Sequence, residues 1–172
     1  RNVVCSGAEP LAITNCLNFG NPQDPEIYWQ FRESVKGIGD MCRKLNTPVT
    51  GGNVSFYNET ITSAVYPTPV IGMVGILEDV GNVMTMNFKR PGDLIAVIGN
   101  ISPSLGGSTY LKKIYNKIEG PLAVFNPNSE LDVQNLCIDL IENKVIGSAH
   151  DVSDGGLAVA LSKCLVSSDD NL

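Results

Sequence analysis

Residues 47–59, TPVTGGNVSFYNE, combine a bare glycine turn with short oxygen-bearing side chains, which is material for phosphate or metal chemistry. At Gly51 and Gly52 the backbone can approach an anion closely, and Asn53 and Ser55 supply side-chain oxygens beside that turn. An isolated Gly-Gly pair serves equally well as a β-turn whose glycines satisfy only local geometry. A second stretch shifts the balance. Residues 11–22, LAITNCLNFGNP, are a strand-like apolar run ending in Asn15, Asn18 and Asn21 around a further glycine. Two polar, glycine-punctuated strand ends in one small domain imply a shared cleft. Asn15 has its own alternative, an Asx-turn closing the strand, and Asn18 and Asn21 read as turn formers.

Two further constellations compete with this one. His150 is the single histidine and precedes Asp151, a pair that invites a general-base reading; hydrogen bonds to the backbone of a strand-to-helix turn account for it equally. Ser104 to Ser108, SLGGS, places two glycines before a helix, where amides could meet a phosphate, although Lys112 falls too late for GxxxxGK and a P-loop is excluded. Simple helix entry is the plainer account of that loop.

The elements that must position these residues follow from periodicity. Residues 11–17 form a short strand after Pro10. A helix begins at Asp24 and Pro25, with Ile27, Phe31, Val35, Ile38, Cys42 and Leu45 as one buried face and Asn46 as its stop. Tyr28 and Trp29 beside that stripe read as packing. Residues 49–57, 61–66 and 70–77 alternate apolar runs with turn residues, and Asn58 with Glu59 makes a hairpin of the first two. After a boundary between positions 78 and 90, a strand is expected at 94–99 and a helix at 110–118 with Leu111, Ile114 and Ile118 inward. A helix capped by Ser129 and Asp132 carries Val133, Leu136, Cys137, Leu140 and Ile141. A strand at 145–150 then leads to a last helix capped by Asp154, with Leu157, Ala158, Leu161 and Leu165 inward.

Composition narrows the class. The 172 residues are 43% hydrophobic, enough for a real core in one domain or two small ones, and the formal charge is −6. Lys112, Lys113 and Lys117 make only the solvated face of a helix, so a nucleic-acid surface is not expected. The five cysteines form no CxxC pair, which reads as buried free thiols in a reducing cytosol. No signal peptide or membrane-spanning run is visible, and the cytoplasm is the expected location. RNVVCSGAEP at the start reads as the end of a helix with a glycine stop, and SSDDNL follows directly on a helix, so the chain reads as part of a longer protein.

NCLNFGNP and GGNVSFYNE, with SAHDVSDGGLAVALSKCL near the C-terminus, resemble phosphoribosylformylglycinamidine synthase, the large amidotransferase subunit of purine biosynthesis. The resemblance covers nearly the whole chain, in the order of that family's second half. HDVSDGGLA recurs in relatives that share the fold and the use of ATP: aminoimidazole ribonucleotide synthetase, selenophosphate synthetase and thiamine monophosphate kinase. The resemblance implies two mixed α/β domains, a nucleotide-facing one over residues 1–85 and a companion over 86–172.

The resemblance also implies an ATP-dependent C–N ligase. Formylglycinamide ribonucleotide would be activated by phosphoryl transfer to its amide oxygen and then attacked by ammonia, which needs positioning and charge neutralisation rather than a nucleophilic side chain. Position by position, it places Asn15 and Gly52 against ATP, Asn53 in a Mg²⁺ site and Ser55 on the nucleotide substrate. Many members carry aspartate where this chain has Asn15, which keeps an acceptor and loses a charge. The family's catalytic histidine belongs to its first half, so no catalytic residue is expected here and His150 does not inherit that role. The implied partners are that first half and a glutaminase subunit or domain supplying ammonia, and a second copy of the chain is expected to cover the surface left by the missing half. The alternatives are another ATP-using enzyme of the superfamily, or a nucleotide-binding or assembly module without catalysis.

Overall fold

The computed structural model describes residues 1–101 and 104–168. Ser102 and Pro103 of the 101–108 loop, and residues 169–172 of the terminal SSDDNL, lie outside the described residues. The chain runs α1 (Asn2–Cys5), β1 (Glu9–Asn18), α2 (Pro25–Leu45), β2 (Val49–Ser55), β3 (Thr68–Ile76), α3 (Thr109–Tyr115), α4 (Pro127–Glu142) and α5 (Gly156–Val166), with a 3₁₀ turn at Val80–Asn82. It divides into two compact units, Ala8–Glu78 and Arg1–Gly7 with the chain from Asp79.

The Ala8–Glu78 unit is a three-stranded mixed sheet in the order β2-β1-β3, with β1 parallel to β2 and antiparallel to β3. Parallel neighbours need a crossover, and α2 is that crossover. Its start and stop are written in the sequence: the Asp24 side chain accepts from the Glu26 amide, Pro25 opens the first turn, and Asn46 ends the helix in the left-handed conformation at φ 53°. Of the expected stripe, Ile27, Phe31, Ile38, Cys42 and Leu45 are half-buried, whereas Val35 turns outward. Tyr28 and Trp29 are also exposed rather than packed. The core beneath is Ala12, Ile13, Leu17 and Phe19, with Thr47, and Phe31 stands edge-on between Phe19 and Phe56 at centroid distances of 5.4 and 5.1 Å.

The expected hairpin does not form. β2 takes β1 as its neighbour, and residues 61–66 contribute only a single bridge between Glu59 and Ala64. Thr60 supplies the reason: its hydroxyl accepts from the Thr62 and Ser63 amides and donates to the Ser63 carbonyl, so this backbone is satisfied as a local turn. Ile61 at its tip is fully exposed.

In the second unit, α1 packs on α4. Gly7 ends α1 at φ +88°, and a Cβ there would collide with the Asn82 carbonyl. Arg1 donates through Nε and Nη2 to the two carboxylate oxygens of Glu130, at 2.7 and 2.5 Å. That guanidinium, with a further hydrogen bond from Gln134, holds the Glu130 carboxyl below its ordinary value against the opposing effect of burial.

Several expectations fail in this unit. α4 is capped three residues before Ser129, because Asn126 accepts from the Asn128 and Ser129 amides and Pro127 occupies the first turn; Leu136 of its stripe is exposed and Ile141 fully buried. α5 starts at the cap Gly155, not at Asp154, and its buried residues are Ala160 and Cys164, while Ala158 and Leu165 face out. α3 stops at the left-handed Asn116, leaving Ile114 and Ile118 exposed. Residues 94–99 and 145–150 are not strands, since no described segment pairs with them as a ladder; Leu94 is 98% exposed. The fold is mixed α/β, with the strands among the described residues confined to the first unit.

The capping geometry of α2 gives a direct test. Asp24→Ala removes the only side-chain cap of a 21-residue helix and should lower stability by about 0.5–2 kcal/mol, with Asp24→Asn restoring most of it. Urea denaturation should show a lower midpoint at unchanged slope.

Candidate functional site

One extra residue decides where the predicted site residues lie. Ile13 pairs with Val49, but Thr14 pairs with Gly51, so Thr50 is a bulge on β2. The Thr50 hydroxyl donates to the Ile13 carbonyl at 3.2 Å, and the Thr14 hydroxyl donates to the Gly51 carbonyl at 3.0 Å. Downstream of this pin the register is Asn15 with Gly52, Cys16 with Asn53, Leu17 with Val54 and Asn18 with Ser55.

All four predicted residues thus stand on two neighbouring strands, in one unit. They do not share one face. Side chains alternate along a strand, so Asn15 lies on the face of Gly52, and Asn53 and Ser55 lie on the other with Cys16 and Asn18. Gly52 has no side chain for a physical reason. A Cβ there would lie 2.5 Å from the Asn15 carbonyl oxygen and closer still to its side-chain oxygen. Gly51, one residue earlier, has open space around it. The Asn15 amide therefore occupies the volume that Gly52 leaves empty, and the Asx-turn alternative is displaced because Asn15 sits inside the strand ladder.

Beyond β2 the chain is locked by a residue first read as part of a hairpin. The Asn58 amide donates to the Phe19 carbonyl at 3.0 Å and the Ser55 carbonyl at 2.9 Å, and its oxygen faces the Ser55 hydroxyl at 3.2 Å. Tyr57 takes a left-handed φ of 59°, costly for an aromatic residue, so that its own amide and that of Asn58 can reach the Gly20 and Phe19 carbonyls. Glu59 accepts from the Asn21 amide at 2.9 Å, and Asn21 closes an Asx-turn onto Gln23. The roles of Thr14, Thr50 and Asn58 had only one sequence signal, the density of short polar residues around the glycine pair.

Asn53 is exposed. Among the described residues no cluster of three His, Cys, Asp or Glu side chains could hold a metal. What the site offers a cation is one neutral amide oxygen, which fits Mg²⁺ that draws its other ligands from phosphates and water, and does not fit an all-protein cage.

The other two constellations belong to the second unit. Asp151 and His150 pair at 3.2 Å, with side chains 10% and 17% exposed, and Asn2, its amide assigned by its partners, donates to both Asp151 oxygens at 2.8 and 3.2 Å. These residues border an open surface groove that also meets Cys5, Met84 and Lys163. In the 104–108 loop the amides are spent internally: Gly107 donates to Glu119, Ser108 to Leu105 and Gly106 to the Ser104 hydroxyl. Helix entry accounts for that loop.

Comparisons with known proteins divide the chain near the same place, except that residues 1–7 fall in the first matched domain and belong to the second compact unit. Residues 1–77 match the family described as AIR synthase related protein, N-terminal domain, and residues 90–169 match its C-terminal domain. The chain is 48% identical over 166 residues to the phosphoribosylformylglycinamidine synthase subunit PurL of Alkaliphilus metalliredigens, and 51% over 167 residues to that of Chlorobaculum tepidum. These matches cover 96% and 95% of this chain and 22% of each relative, so the chain spans about a fifth of the length of the curated relatives it matches. Thermotoga maritima PurL complexed with ATP aligns at a TM-score of 0.65 and 20% identity, over 95% of this chain and 24% of that one. The same protein complexed with FGAR gives 0.65 and 20%, over 94% and 26%. At that identity the likeness shows the fold.

The packing at Gly52 predicts an asymmetry between adjacent glycines. Gly52→Ala should be strongly destabilising because both a backbone and a side-chain oxygen of Asn15 block it, while Gly51→Ala should be near neutral. Thermal denaturation should separate the two, and Asn15→Ala should rescue Gly52→Ala only partly, since the carbonyl remains.

Proposed function

Since the chain belongs to the AIR synthase related family, with both domain types in order, we propose that it forms part of a phosphoribosylformylglycinamidine synthase. The observation that carries this reading is identity near 50% over 95% of the chain to the PurL subunits. The activity is ATP-dependent conversion of formylglycinamide ribonucleotide and ammonia to formylglycinamidine ribonucleotide, with ADP and phosphate as the other products. A cytoplasmic location and ammonia supply by a glutaminase partner accompany it. No described helix is long and apolar enough to cross a membrane.

Oxide cannot be displaced from an amide by ammonia, so the reaction needs the amide oxygen converted to a leaving group. ATP provides that conversion, and the protein provides position and charge. Gly52 leaves its backbone open to a phosphate, with the Asn15 amide alongside on the same face as a neutral polar contact. Asn53 would hold Mg²⁺ through its side-chain oxygen, and the ion would supply neutralisation of phosphate charge. Ser55 contacts the nucleotide substrate as a donor only by turning from Asn58, whose oxygen its hydroxyl now faces. β2 is an edge strand among the described residues, so a ligand laid along that edge touches both of its faces.

No catalytic side chain is assigned in this chain. The 172 residues alone should bind Mg-ATP weakly and not turn over, with the histidine and the ammonia supply coming from elsewhere in the assembly. The test uses the intact parent enzyme with ATP, formylglycinamide ribonucleotide and ammonia. Asn53→Ala should lower turnover and be partly rescued by raised Mg²⁺. Ser55→Ala should mainly raise KM, by about threefold to tenfold, the worth of a neutral hydrogen bond of about 0.5–1.5 kcal/mol. Normal turnover in Asn53→Ala would remove it from the site, and robust synthesis by the 172 residues alone would overturn the assignment of catalysis elsewhere.

The face of the sheet that carries Asn53 and Ser55 also leaves Val70, Val74 and Ile76 exposed. We propose that another subunit or a second copy covers this apolar surface. Sedimentation of the 172-residue chain should show a monomer–dimer equilibrium shifting with concentration, and a strict monomer at high concentration would remove the second copy.

A further inference from the structure

The backbone around Asn58 fixes which way its side-chain amide points. The side-chain nitrogen donates to the Phe19 carbonyl at 3.0 Å and to the Ser55 carbonyl at 2.9 Å, which spends both of its protons. Those two carbonyls are themselves anchored. The Phe19 backbone amide donates to the Ser55 carbonyl at 3.0 Å, the Asn58 backbone amide donates to the Phe19 carbonyl at 3.1 Å, and the Phe19 side chain is buried. Turning the Asn58 amide over would set its oxygen against two carbonyl oxygens. Its oxygen is therefore held 3.2 Å from the Ser55 hydroxyl. The left-handed backbone of Tyr57 is the local cost of this arrangement, since it aims the amides of Tyr57 and Asn58 at the Gly20 and Phe19 carbonyls.

A carboxamide oxygen only accepts, so Ser55 is the donor in that contact and its proton is committed. What the hydroxyl keeps is acceptor capacity. Ser55 is half-buried on the face of β2 that it shares with Asn53. A group that meets Ser55 without breaking its bond to Asn58 has to bring a proton of its own. An ionised phosphate oxygen has none to give, whereas a ribose hydroxyl or an amide N–H has one.

We propose that Asn58 is a positioning residue that sets the polarity of Ser55, and that Ser55 accepts a hydrogen bond from a hydroxyl or N–H of the ribonucleotide substrate and does not meet its phosphate. This rests on the reading of Ser55 as a substrate contact and adds which part of the substrate is read. Formylglycinamide ribonucleotide carries both kinds of donor. A substrate that offers only an acceptor at this point leaves two lone pairs facing one another, or takes the Ser55 proton and leaves the Asn58 oxygen without a partner.

The experiment measures steady-state kinetics of the intact parent enzyme. Asn58→Ala should raise KM for formylglycinamide ribonucleotide by about threefold to tenfold, leave KM for ATP within about twofold, and add nothing further in a Ser55→Ala background. A phosphate contact has the opposite sign, because Ser55 then has to leave Asn58 in order to donate, and removing Asn58 lowers KM. A fall in KM, no change, or the same factor with and without Ser55 would overturn the proposal. If Ser55→Ala itself leaves KM unchanged, the substrate-contact reading falls and this proposal falls with it; a Ser55→Ala defect that is additive with Asn58→Ala removes the positioning role alone.

Asn58→Ala also strips two backbone carbonyls of a donor and can lower the folded yield, so a second measurement uses Ser55→Ala with substrate analogues as competitive inhibitors. For the ribonucleoside lacking the 5′-phosphate, the inhibition constant should still rise by about threefold to tenfold in Ser55→Ala. An unchanged constant for that compound would place Ser55 on the phosphate and overturn the proposal. Loss of the effect with the 2′-deoxy or the 3′-deoxy ribonucleotide assigns the donor to that hydroxyl, and retention with both assigns it to an amide N–H.

Discussion

Parallel pairing between β1 and β2 depends on Thr50, the residue that has no partner of its own. Without that bulge, the alignment begun at Ile13 and Val49 would set Asn15 against Gly51, where there is open space, and would move Asn53 and Ser55 by one position relative to β1. A slip of one residue turns every side chain of a strand to the other face, so this single irregularity determines what β2 presents on each side. Two threonine hydroxyls hold it by bonding across the pair to carbonyls. The rest of the unit is arranged around that register: α2 spans the crossover, and the 56–58 segment folds back to close the loop that leaves β1.

The glycine–asparagine chemistry is neutral throughout. Gly52, Asn15, Asn53 and Ser55 carry no charge, so in the proposed function the charge needed for phosphoryl transfer would arrive with the nucleotide and its cation. Neutral oxygens avoid the repulsion that carboxylates would bring to a polyphosphate. They also suit an isolated cation poorly, which in the proposed function would couple metal binding to nucleotide binding.

Local punctuation was legible in the sequence, and pairing was not. Asp24, Pro25 and Asn46 bound α2 as read, because caps act within a few residues of themselves. Asn126 and Gly155 show the limit of the same reasoning: Ser129 and Asp154 were equally plausible caps, and the choice was made by Pro127 and by the glycine turn beside them. Residues 61–66, 94–99 and 145–150 have strand composition without a ladder, since a strand is defined by a neighbour that composition does not name. The types and neighbourhood of the site residues could be read from GGN and NCLN. Their division between two faces could not, because a bulge adds a residue to one strand without leaving a mark in its apolar pattern.

β1 is hydrogen-bonded on both sides, to β2 and to β3, whereas each of those strands has one neighbour among the described residues. Opening therefore costs least at the edges: β2 can detach while β1 stays paired to β3, and Asn15 keeps its place when Asn53 and Ser55 lose theirs. The two strands that carry the candidate residues thus differ in local free energy of unfolding. A ligand touching both would raise amide protection along β2 more than along β1, and part of its binding energy would go into ordering that edge.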